Sequence, residues 1–153
     1  MLYRAQSNRR LAHGSNGCIK NPNRERERQP RDSSSLLHNV TGAWFQRKFG
    51  LNYRTLALFC TGKLDVARGY AAQPGVSVIQ IFPVGDFSIC FSEKCMDLYG
   101  HFQFRPDITG AEIEQELDSL SYVEYKNCGL DIAAASGFEA MLYAEQFNYF
   151  RIG

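Results

Sequence analysis

At 153 residues, 44% apolar and 22% charged, the chain has the make-up of one globular domain spanning 1–153, large enough to bury a core. A formal net charge of +1 excludes a global bias toward nucleic acid or a membrane surface, and no run is long enough to span a bilayer. Five cysteines (Cys18, Cys60, Cys90, Cys95, Cys128) are odd in number and lack metal-ligand spacing, which excludes a standard zinc site and points to a reducing, cytoplasmic setting.

The first element is a short strand, Leu2-Tyr3-Arg4-Ala5, with an arginine among apolar neighbours. A guanidinium held there needs an anionic partner, and its fork suits phosphate. Met1 to Arg10 shows no apolar core of a signal peptide. Residues 24–35 carry the run Arg24-Glu25-Arg26-Glu27-Arg28 and Pro30, and read as a mobile loop. A helical patch follows at Gly42–Phe49, with Trp44, Phe45 and Phe49 as its packing face.

Thr55–Cys60 reads as a buried strand stopped by Thr61-Gly62, and Leu64 to Ala71 as a helix. Val76–Phe82 and Phe87–Phe91 read as two strands, and Ser92 as the N-cap of a short helix through Leu98. His101–Phe104 alternates apolar and polar residues. Thr109 with Glu112 forms a capping box for an acidic helix through Leu120. Ala140–Tyr143 and Phe147–Ile152 read as two closing strands joined at Ala144–Gln146. Strands interspersed with short helices and no internal repeat indicate an α+β fold.

Three places carry possible chemistry. Arg4 is the first. Phe59-Cys60-Thr61-Gly62 is the second, where a strand ends in a hydroxyl and a glycine before a helix, a setting for an anion or a ribose. The third is Ser136-Gly137-Phe138-Glu139, a carboxylate at a strand start after a small-residue turn.

In this order the three resemble the mono-ADP-ribosyltransferase toxins of the Arg, Ser-Thr-Ser, Glu type, and the Leu-Tyr-Arg-Ala opening is similar to the cholera-toxin-like catalytic domains. The resemblance implies a split β-sheet core with peripheral short helices, and NAD as co-substrate. It implies that Arg4 holds the dinucleotide, that Phe59, Thr61 and Gly62 brace the cleft, with the Thr61 hydroxyl helping to orient the glutamate, and that Glu139 is the catalytic acid that stabilises the oxocarbenium-like transition state. Tyr70 would stack in the cleft and His13, from Arg10-Leu11-Ala12-His13-Gly14-Ser15, would lie near it, by similarity to the His-Gly-Ser segment of poly(ADP-ribose) polymerase and diphtheria-toxin relatives. The implied function is transfer of ADP-ribose to a macromolecular acceptor by a bacterial toxin or effector, with a cognate antitoxin or immunity protein as a further partner and no membrane.

Two departures narrow that expectation. The middle motif reads Cys60-Thr61-Gly62, with one hydroxyl. Arginine-modifying members carry a second glutamate two residues before the catalytic one, where this chain has Gly137, so the acceptor is expected to be a non-arginine side chain or a nucleic acid. An RNA 2'-phosphotransferase-like enzyme on the same fold and a non-catalytic binding module stand as alternatives.

Overall fold

The computed structural model describes residues 1–30 and 34–153. Its elements are β1 (Leu2–Ser7), a 3-10 turn (Asn8–Arg10), β2 (Asn16–Lys20), α1 (Ser35–Phe49), α2 (Tyr53–Leu56), β3 (Leu58–Cys60), α3 (Leu64–Tyr70) and β4 (Val76–Phe91). Then follow α4 (Leu98–Phe102), α5 (Gly110–Ser119), β5 (Val123–Lys126), α6 (Leu130–Ser136) and β6 (Ala140–Ile152). Among the described residues the six strands form one antiparallel sheet, so the protein is a mixed α/β fold.

β4 and β6 are the spine of that sheet, paired along most of their length with a register shift between Val84 and Phe87. The shift divides the sheet into two halves. In one, β1 and β2 flank the early part of β4 and the late part of β6. In the other, β5 and β3 flank the late part of β4 and the early part of β6. The outer edge of β1 returns to the end of β3: Tyr3 and Thr61 exchange both backbone hydrogen bonds, at 2.8 and 2.9 Å.

Successive strand residues point to opposite faces, and two cores result. Leu58, Cys60, Ile89, Phe91, Ala140 and Leu142 join Leu2, Ile79, Ile81, Phe147 and Tyr149 in a core drawn from both halves. Cys90 and Met141 point the other way, into a second core with Trp44 and Phe45 of α1, Tyr53 of α2, and Ile113 and Leu117 of α5. Burying these side chains is worth about 1.5–3 kcal/mol each.

Several sequence expectations change here. The two strands expected around Pro83 are one strand, β4, and the two expected around Ala144–Gln146 are one strand, β6. Glu145 and Gln146 are consecutive exposed residues, and across them the inward-facing positions switch from even to odd, which is why β6 reads as two pieces. Thr55–Cys60 is only half strand, because the Asn52 side chain accepts from the Thr55 N–H at 3.3 Å and starts α2. Ser92 caps no helix: its hydroxyl donates to the Leu120 carbonyl and accepts from the Lys94 N–H. His101 and Phe102 lie in α4, where Asp97 is the N-cap. The expected loop at 24–35 lies partly outside the described residues, at 31–33; α1 already begins at Ser35. Residues 21–28 are anchored, with Asn21 donating to the Leu56 and Ala144 carbonyls at 2.9 and 3.0 Å and the Arg28 N–H donating to the Thr55 carbonyl at 3.0 Å.

Candidate functional site

The inward face of β1 reads Leu2, Arg4, Gln6, of which Leu2 and Gln6 are buried. Arg4 therefore carries its charge into the first core. Its Nη1 donates to the Phe59 carbonyl at 3.4 Å, while its buried Nε has no partner. No described carboxylate lies within ion-pair distance of it, and burial pulls its pKa down to about 10. A charge so placed is costly unless an anion completes it.

The pleat of β3 sets Cys60 toward Arg4 and Phe59 toward the opposite face. Over the Phe59 ring lie two guanidiniums, that of Arg28 at 4.2 Å from the centroid and that of Arg54 at 4.6 Å. Arg54 is 5% exposed, so nearly its whole side chain is out of water. Its Nη1 donates to Glu139 Oε1 at 3.2 Å, in an ion pair of residues 85 apart in the chain. The Glu139 backbone N–H is held as well, by the Met96 carbonyl at 2.7 Å.

Cys60 lies between the two charged centres and is affected by both. Burial pushes its thiol up to about 12, with Arg4 opposing and Glu139 reinforcing the shift. His38 on α1 is depressed below its ordinary 6.5, first by burial, then by Arg54 and Arg28. Two guanidiniums thus lie on the Phe59 ring, and Glu139 is the carboxylate that binds one of them.

Of the residues singled out in the sequence, Arg4, Phe59 and Thr61 come together at the end of β3, and Glu139 faces that end from the start of β6. Glu139 is paired with Arg54 and not with Arg4. Thr61 does not reach Glu139: its hydroxyl donates to the Gly137 carbonyl at 3.1 Å and accepts from the Lys63 N–H at 3.1 Å. Gly62 has a packing role, since a Cβ there would stand 1.8 Å from the Ala134 carbonyl oxygen. Tyr70 ends α3, 67% exposed and at the far end of that helix from Thr61. His13 is exposed beside Ala12, whose carbonyl accepts from Arg151 Nη2 near the end of β6, whereas Glu139 precedes its start.

Arg54 escapes a sequence reading because only the fold brings it to Glu139. A charged residue inside the apolar stretch Tyr53–Cys60 is the signal that points to it. Among the described residues no group of three His, Cys, Asp or Glu is arranged to hold a metal ion, and no helix is long and apolar enough to cross a membrane. No family model, curated protein or solved structure matches the chain.

Proposed function

We propose that this protein is an NAD-dependent mono-ADP-ribosyltransferase, with Glu139 as the catalytic carboxylate. The observation that carries the reading is Glu139 itself: a partly exposed carboxylate held by a buried guanidinium beside an aromatic ring, with the half-buried Arg4 bonded to the backbone of that same aromatic residue. Loss of nicotinamide builds positive charge on the ribose, and a fixed carboxylate in a site of low dielectric opposes that charge most strongly at the transition state. The Arg4 guanidinium, whose Nη1 meets a carbonyl and whose Nε has no partner, suits the diphosphate of a dinucleotide.

Gly137 bears on the acceptor. With no carboxylate at that position there is no base to deprotonate a guanidinium, so the acceptor is a non-arginine side chain or a nucleic-acid group. Incubation with adenine-labelled NAD in lysate, followed by protease or nuclease, tests this. Label on a macromolecule from the wild type and none from Glu139→Gln supports the reading; equal labelling by both sinks it.

A second reading rests on the same arginines. Arg4 without a carboxylate partner equally favours a phosphorylated substrate such as a 2'-phosphorylated RNA end. Release of nicotinamide without any RNA present favours the transferase; a requirement for a 2'-phosphate favours this alternative.

A further inference from the structure

We propose that Arg54 is the positioning residue for Glu139, supplying through a guanidinium the orientation that the Cys60-Thr61-Gly62 segment does not supply through a hydroxyl. The inference rests on the transferase reading and names a residue which that reading, taken from the sequence, leaves out.

The single proton of the Thr61 hydroxyl is already committed. Its proton goes to the Gly137 carbonyl and it accepts the Lys63 N–H, so it braces the turn before Glu139 and makes no contact with the carboxylate. Arg54 makes that contact instead, and its own geometry is over-determined. It sits on α2, whose first turn is capped by Asn52, and its guanidinium packs over the Phe59 ring. Stacking fixes the position of the fork, and burial keeps the pair from being screened. With the backbone N–H on Met96, Glu139 is gripped at two points.

The grip is one-sided. Arg54 binds Oε1, and Oε2 takes no hydrogen bond from the described residues. One oxygen is held and the other is open to a reacting ribose. A carboxylate aimed in this way avoids reorganisation during the reaction, and small misplacements of such a group are costly in rate.

The test is nicotinamide release by the full chain and by Arg54→Gln and Arg54→Lys, each checked for folding by circular dichroism. Arg54→Gln is expected to lower kcat about 100-fold while KM for NAD stays within about threefold, and Arg54→Lys to recover part of kcat. Wild-type kcat in Arg54→Gln overturns the proposal, as does a rise in KM with kcat unchanged, which makes Arg54 a binding group only. If Arg54→Gln fails to fold, side-chain NMR of the wild type and Glu139→Ala decides. The same measurement decides the pairing if the wild type releases no nicotinamide, a result that defeats the transferase reading itself. A slowly exchanging Arg54 guanidinium proton lost in Glu139→Ala supports the assignment; an unchanged one overturns it.

Discussion

Thr61 donates its hydroxyl proton to the carbonyl of Gly137, 3.1 Å away and 76 residues later in the chain. This bond ties the end of β3 to the turn that presents Glu139. Thr61→Val keeps the shape and removes the hydroxyl, leaving a buried carbonyl unpaired. The expected loss is about 1–2 kcal/mol of stability, read from urea denaturation midpoints at constant m.

Gly62 makes the second joint. Its missing side chain lets the backbone lie against α6 at Ala134, where any Cβ collides with a carbonyl oxygen. Gly62→Ala is expected to cost about 3 kcal/mol, because backbone has to move to admit the methyl group. Thermal melting checks it, and a melting temperature within a degree of the wild type contradicts the packing described.

Glu139→Gln removes the charge that Arg54 faces while keeping an oxygen able to accept its hydrogen bond. Nicotinamide release is expected to fall by about 1000-fold. Stability is expected to fall by about 1–2 kcal/mol, less than for a fully buried pair because Glu139 is partly in water. Rapid-quench measurement of nicotinamide and chemical denaturation read the two effects separately.

Stability also depends on pH through His38. Its folded pKa lies below 6.5, so the folded chain resists a proton that the unfolded chain accepts. The His38 contribution is therefore complete above about pH 6.5 and is lost as pH falls toward the folded value. Glu116, held down by Arg105 and His101, has the same sign but acts only below about 4.5. Denaturation midpoints are expected to drop between pH 7.5 and 5.5, and His38→Gln to flatten that drop.

Cysteine reactivity separates buried from exposed thiols. Cys18 and Cys128 are exposed, whereas Cys60, Cys90 and Cys95 are buried and burial raises all three. Iodoacetamide at pH 8 is expected to label two sites in the folded protein and all five in denaturant, by mass spectrometry.

What the sequence discloses is local. The Thr109–Glu112 capping box forms as expected because both partners lie within one turn. The strand bearing Arg4 is legible from its apolar run, as is the helix after Thr61. The continuity of β4 past Pro83 is not, because it depends on pairing with Phe147 across the sheet. β2, β5 and α6 carry weak periodicity and are set by their partners. Arg54 shows the same limit at the site: nothing near it in sequence announces Glu139.

The register shift in the spine has a mechanical consequence. Glu139 belongs to the half of the sheet built on β3 and β5, and Arg4 to the half built on β1 and β2. What fastens one to the other at the site is the pair of backbone bonds between Tyr3 and Thr61, with the Arg4 guanidinium on the Phe59 carbonyl beside them. The span between the two charged centres is therefore set where β1 meets β3, across the core that both halves share.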